Sequence, residues 1–129
     1  MWYRLWAVIA VACAFTWQVP GVLAEPARAR LLLQVSFVSG FQYYEGKRLF
    51  RHLAAGDEVR LIREPDNAYD ANAIRVEWNN RVLGYLPGNE NRALARQMDF
   101  GHRLRGRIVQ LSRHRDPNRR VEIEVYLQY

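Results

Sequence analysis

The sequence predicts a mainly β protein, a small barrel of about six short strands with one or two short helices. Three observations carry that prediction. Short stretches in which apolar and polar residues alternate recur between turn signals, the pattern of half-buried strands. These stretches do not alternate regularly with long helical segments, which argues against a parallel α/β sheet. The chain has 129 residues, half of them apolar and a quarter charged, enough for one compact domain and hardly two.

Residues 1–24 are set aside before the elements are placed. Met1-Trp2-Tyr3-Arg4 is a short basic start, Leu5 to Phe15 is an apolar run, and Val22-Leu23-Ala24 supplies small or short residues. That is the layout of a secretory signal peptide, with cleavage expected after Ala24. The protein is therefore expected to be exported, periplasmic or secreted. The alternative is an uncleaved N-terminal anchor, but a spanning helix needs roughly 20 apolar residues, so no stable membrane span is expected after processing. A lipid on Cys13 is a third option and implies an unusually short signal. Cys13 is the only cysteine, so the product of cleavage can hold neither a disulfide nor a thiolate zinc site. It keeps 18 basic residues against 13 acidic, a net charge of +5 once Arg4 is lost. Nucleic acid, anionic lipid and anionic polysaccharide all suit such a charge.

Residues 25–30 are polar and expected to be loose, which leaves 31–129 for the barrel. Leu31 to Val38 is the first strand, ended by Ser39-Gly40, and Phe41 to Gly46 is an aromatic-rich turn. Lys47 to Ala55 is a short helix or an irregular arm, closed by Gly56-Asp57. Glu58 to Arg63 alternates, with Val59 and Leu61 on one face. After a polar turn, Ala73 to Trp78 alternates again, with Ile74, Val76 and Trp78 on one face. Asn79-Asn80 is a two-residue hairpin signal, because asparagine tolerates positive φ, and Val82 to Leu86 is the return strand. Pro87-Gly88 breaks it. Asn89 is the expected cap of a helix from Glu90 to Met98, stopped by Gly101. His102 to Leu111 and Val121 to Leu127 are the last two strands, joined by a loop with the turn signal Asp116-Pro117-Asn118.

The densest polar punctuation is Arg63-Glu64-Pro65-Asp66-Asn67-Ala68-Tyr69-Asp70-Ala71-Asn72-Ala73-Ile74. A fixed-φ proline, two aspartates, two asparagines and a tyrosine in one turn suit a rigid presentation of an aromatic face beside a carboxylate. Asp66, Asn67, Asp70 and Asn72 also have a plain structural use, since Asp and Asn side chains bond nearby backbone amides in turns. Adjacent residues on an extended chain point oppositely, so one of Tyr43 and Tyr44 is expected inside and the other outside. No nucleophile context, glycine-rich phosphate loop or motor motif is present. His52, His102 and His114 show no ligand spacing. Neither an enzyme nor a metal or cofactor site is expected.

The order of features is distinctive: the pair Tyr43-Tyr44, then Arg63-Glu64-Pro65-Asp66-Asn67-x-Tyr69-Asp70-x-Asn72-Ala73-Ile74, a hairpin, and Gly84-Tyr85-Leu86-Pro87 running into a helix. It resembles the HIRAN domain, a module found at the front of certain eukaryotic fork-remodelling helicase-like proteins and alone in bacteria. The resemblance spans Leu31 to the C-terminus. It implies an OB-like β-barrel, in keeping with the small OB-like or SH3-like barrel expected from the strands, that binds single-stranded DNA at a free 3′ end. Carried over by position, Tyr43 stacks on a terminal base, Tyr69 and Asp70 line the end pocket, and Asn67 shapes it. Tyr85 touches sugar or phosphate, and Tyr44 and Arg63 belong to the same motifs. Two positions depart from the pattern: Gln42 stands where DNA-binding members place an arginine, and Gly88 where a basic residue is usual. Arg103, Arg105 and Arg107, at strand spacing, either supply that missing charge or form the solvent face of a strand. A different class of partner, an envelope protein or a glycan, is the alternative that the export signal suggests. No oligomeric state follows from the sequence.

Overall fold

The computed structural model describes residues 28–129. The expected signal segment, residues 1–24, and Cys13 within it lie outside them. Six strands form one antiparallel sheet: β1 (Arg30–Phe37), β2 (Glu58–Glu64), β3 (Ala73–Trp78), β4 (Arg81–Tyr85), β5 (Leu104–Leu111) and β6 (Val121–Gln128), in the order β1-β6-β5-β2-β3-β4. Two short α-helices, α1 (Gly46–Leu49) and α2 (Arg92–Asp99), complete the fold with single 3-10 turns at Phe41–Tyr43, Phe50–His52 and Pro117–Arg119. The predicted mainly β, OB-like architecture is the one observed.

The sheet curls until its ends meet at one point. Just beyond β1, the Ser39 amide donates to the Tyr85 carbonyl at 2.8 Å, and the Tyr85 amide donates to the Ser39 carbonyl at 2.9 Å. This single bridge joins the two edges of the sheet, so the barrel is pinched shut rather than continuously paired. Gly84 makes the approach possible, because a Cβ there would overlap the Ser39 carbonyl oxygen and the Val38 side chain.

The core follows the predicted periodicities where a strand has a neighbour on each side. Val121, Ile123 and Val125 of β6 are fully buried, as are Ile74 and Val76 of β3 and Ile108 of β5. Trp78 is half-buried against this core and donates its indole N–H to Asp57 at 3.1 Å. The Asn79-Asn80 hairpin holds both residues at positive φ, 47° and 62°.

Four features depart from the sequence pattern. Tyr126 alternates with the buried Val121, Ile123 and Val125 and yet is buried too, and the Arg30 guanidinium sits 5.0 Å over its ring. Arg30 is accordingly part of β1 rather than of a loose start, and the Ala29 carbonyl accepts from the Tyr129 amide. Leu31, Leu32, Leu33 and Val35 are exposed, because β1 pairs only with β6 along its length and lies at the edge of the sheet. Helix α2 starts at Arg92, flanked by Asn91 instead of Asn89, and the Asn91 side chain does not cap it. Asn91 is almost wholly buried and is committed elsewhere, to the polar turn between β2 and β3.

Candidate nucleic-acid interface

The β2–β3 turn is held by its own side chains. The Asn67 carboxamide oxygen accepts from the Tyr69 and Asp70 amides at 2.9 and 3.1 Å, and its nitrogen donates to Glu64 at 3.1 Å. Asp70 accepts from the Asn72 amide at 2.8 Å through Oδ1 and from Asn91 Nδ2 at 2.7 Å through Oδ2. Asp66 is exposed and makes no side-chain bond among the described residues, and Asn67 and Asp70 do the turn-holding work expected of the polar cluster. Each Asp70 oxygen keeps a lone pair, so the carboxylate is fixed in place while still able to accept a further donor.

The second side of the site comes from the segment after the seam. Gly40 takes φ 72°, its amide held by Asn118 Oδ1 at 2.8 Å, and the chain enters a 3-10 turn. In that geometry Phe41 goes to the core, and both tyrosines after it face outward, with Tyr43 80% and Tyr44 42% exposed. The expected inside–outside split fails because the pair lies in and just after a tight turn rather than on an extended strand. Tyr44 packs on Tyr85, ring centroids 5.6 Å apart and tilted by 53°.

Tyr44, Asn67, Tyr69, Asp70 and Tyr85 thus converge on one concavity of about 210 Å³, completed by Ser39, Leu86 and Gly88. Tyr69 is 98% exposed, an aromatic face with nothing packed on it. Asp70 is the only charged residue among the lining groups. Gly88 lies against it, an added Cβ coming within 3.5 Å of Asp70 Oδ2. Five of the seven predicted site residues are therefore brought together. Tyr43 stands outside this lining, on the same turn.

Arg63 is also outside it. Its guanidinium forks onto Asp99 of α2 at 3.0 and 3.2 Å and bonds the Ala73 carbonyl, so it straps the turn to the helix. Arg103 precedes β5, and the two arginines within the strand are likewise engaged: Arg105 pairs with Glu58 at 2.7 Å and Arg107 with Glu124 at 2.6 Å. Arg103 and Arg105 line a separate groove that shares no residue with the pocket. Glu124 lies directly across from Arg107 in the β5–β6 register, whereas Arg105 faces Tyr126 there and reaches Glu58 diagonally.

Sequence reasoning missed Glu64. Its Oε1 accepts from the Tyr85 hydroxyl at 2.8 Å and from Asn67, and Arg75 pairs with its Oε2. One carboxylate thereby ties the turn to β4, behind the pocket. Burial pushes Glu64 up, but the bonds from Tyr85 and Asn67 and the Arg75 charge outweigh it and leave the carboxyl below its usual 4.5. Burial, then the bond to Glu64 and its charge, pushes the Tyr85 phenol from 10.0 up to about 12. The signal for Glu64 was its place in the motif, but its partners lie 11 and 21 residues away.

The raised phenol makes a prediction. The folded state keeps the Tyr85 proton where the unfolded chain releases it, so this contribution is complete below pH 10 and is lost as pH rises toward 12. Thermal melts of the wild type should fall more steeply over that window than melts of Tyr85→Phe. Parallel slopes in the two proteins would remove Tyr85 as the responsible group.

A small OB-like barrel presenting an aromatic-walled pocket with a single fixed carboxylate defines a class, that of ligand-binding modules. The family model for the HIRAN domain matches residues 31–129, and the chain belongs to that family. It is similar to the crystal structure of a protein from Lactobacillus plantarum, with 31% identity and a TM-score of 0.68 over 78% of this chain and 97% of that one. It is also similar to the crystal structure of the HIRAN domain of human HLTF, with 26% identity and a TM-score of 0.56 over 77% of each chain. No curated protein matches it. Family membership supports a nucleic-acid-binding module.

Proposed function

We propose that this domain binds single-stranded DNA at a free 3′ end, with the terminal nucleotide in the pocket between Tyr44, Tyr69 and Asp70. The observation that carries this reading is the pocket's charge: no cation lines it, and its one charged group is a carboxylate held at both oxygens. A carboxylate accepts a hydrogen bond from a terminal hydroxyl and repels a terminal phosphate. The exposed Tyr69 ring and the Tyr44–Tyr85 pair offer stacking surfaces, which are indifferent to base identity and contribute about 1–3 kcal/mol per base.

Fluorescence anisotropy with two otherwise identical strands, one ending in a 3′ hydroxyl and one in a 3′ phosphate, tests the reading. The wild type is expected to prefer the hydroxyl. Asp70→Asn keeps the shape and removes the charge, so most of that preference, about tenfold or more for one charge-assisted bond, should disappear. Glu122→Ala, in β6 and not among the lining residues, should leave it intact. Equal binding of both strands by the wild type sinks end recognition. A pull-down that captures the same envelope component before and after nuclease treatment would point instead to a protein or glycan partner.

A further inference from the structure

The end pocket holds no cation, yet each internucleotide linkage of a bound strand carries a negative charge that must be met. A second concavity, of about 500 Å³, lies on the same segment that supplies Tyr44. Lys47, Arg48, Arg51 and Arg81 line it together with His52 and Phe50, and no carboxylate does. We propose that this groove is the phosphate track of the domain, carrying the backbone of the strand whose 3′ end occupies the pocket. The inference rests on the end-binding reading and adds the place where the rest of the ligand runs.

Three features point to it. The first is the distribution of ion pairs. The strand arginines are largely matched, Arg60 and Arg75 with Glu77, Arg63 with Asp99, Arg105 with Glu58 and Arg107 with Glu124. Lys47, Arg48 and Arg51 have no carboxylate within ion-pair distance among the described residues, and Arg81 meets Glu45 only at 3.7 Å, both side chains being about half exposed. Mutual repulsion of four clustered cations costs free energy in the free protein, and a polyanion relieves it.

The second is connection. Strand β4 begins at Arg81 in the groove and ends at Tyr85 in the pocket, about 13 Å apart at the usual strand rise. The Glu45 amide bonds the Val82 carbonyl at 3.2 Å, which seats the start of α1 on β4 and fixes the groove relative to the pocket. A strand of the length that one OB-type barrel engages, about 4–16 nucleotides, reaches both.

The third is rigidity. Phe41 and Phe50 pack edge to face at 6.0 Å, and Gly46 lacks the Cβ that would collide with the Phe41 ring. The arm that carries the cations is therefore anchored to the core through Phe41 and Leu49 while Lys47, Arg48 and Arg51 stay exposed.

The test measures anisotropy of labelled 3′-hydroxyl strands, a trinucleotide and a strand of about 12 nucleotides, across a range of salt concentrations. The triple variant Lys47→Gln, Arg48→Gln, Arg51→Gln replaces exposed side chains, and a thermal melt checks that its fold is kept. With the longer strand, its log–log salt slope should fall by about 2, three lost contacts at about 0.7 each. Its affinity for the trinucleotide and its preference for a 3′ hydroxyl over a 3′ phosphate should be unchanged. The comparison variant Arg113→Gln, Arg115→Gln, Arg119→Gln removes as much charge from the loop between β5 and β6. An unchanged slope in the first variant, or an equal fall in both, overturns the groove. A wild type that binds the longer strand without end preference overturns the end-binding reading instead, and one that binds neither strand overturns both.

Discussion

Replacing Gly84 by alanine is expected to lower the unfolding free energy by about 3 kcal/mol, the upper end of what overpacking costs, and Tm by about 15 °C in a domain of this size. The reason is the seam. Gly84 faces the Ser39 carbonyl, and that carbonyl accepts one of the two bonds that join the sheet edges. An added methyl group meets the Ser39 carbonyl first and the Val38 side chain next, and backbone already engaged in a bridge cannot yield without losing it. The matched control is Gly56→Ala. Gly56 also has positive φ, 96°, but nothing lies within 4 Å of its added Cβ, so only conformational strain is introduced, about 1 kcal/mol. Melting curves of the two variants decide the point: if Gly84→Ala melts no lower than Gly56→Ala, close approach at the seam is not what holds the barrel shut. Because Ser39 and Tyr85 both line the candidate pocket, the same substitution should also weaken the proposed DNA binding.

Glu64→Ala is expected to cost about 2 kcal/mol of stability at neutral pH, the scale of hydrogen bonds to a charged acceptor. It strands three donors at once: the Tyr85 hydroxyl, the Asn67 carboxamide and the Arg75 guanidinium. Arg75 retains Glu77 at 2.9 Å, which limits the loss. The pH dependence gives the effect a signature. Folding depresses the Glu64 carboxyl below 4.5, so its contribution is complete above that value and is lost as pH falls through the lower folded value. Denaturant unfolding of wild type and variant should therefore differ most at neutral pH and converge in acid. A constant difference down to acid pH would mean that the missing contacts are those of the side-chain stem, not of the carboxylate.

Much of the fold was legible because the signals were local. The strands showed in their alternation, the β3–β4 hairpin in Asn79-Asn80, and the dense turn in Asn67 and Asp70, whose bonds reach two or three residues along the chain. What alternation could not show was which strand would sit at an edge. Leu31 to Leu33 have the composition of a core strand and are exposed, whereas Tyr126 sits on the outer phase of β6 and is buried. Both outcomes depend on the β1–β6 pairing, whose partners lie some ninety residues apart in sequence.

The site divides in the same way. The motif named Asn67, Tyr69, Asp70 and Tyr85, and the structure places all four around one cavity with Tyr44. It did not tell Tyr44 from Tyr43, since that choice is made by the 3-10 turn that follows the positive φ of Gly40. Nor did it foresee that Arg63 is spent on Asp99, or Arg105 and Arg107 on Glu58 and Glu124. A cation's availability depends on what lies opposite it, which is a property of register rather than of composition.

The sequence sufficed for the class of fold, the family, the polar turn and four of the residues that wall the pocket, Asn67, Tyr69, Asp70 and Tyr85, because each depends on residues near in sequence or on a recognisable order of motifs. Only folding sets the closure at Ser39 and Tyr85, the fastening of Asp70 by Asn91 and of Tyr85 by Glu64, and which cations are left without a carboxylate partner among the described residues. Those are contacts between distant residues, fixed only when the sheet curls and its two edges meet.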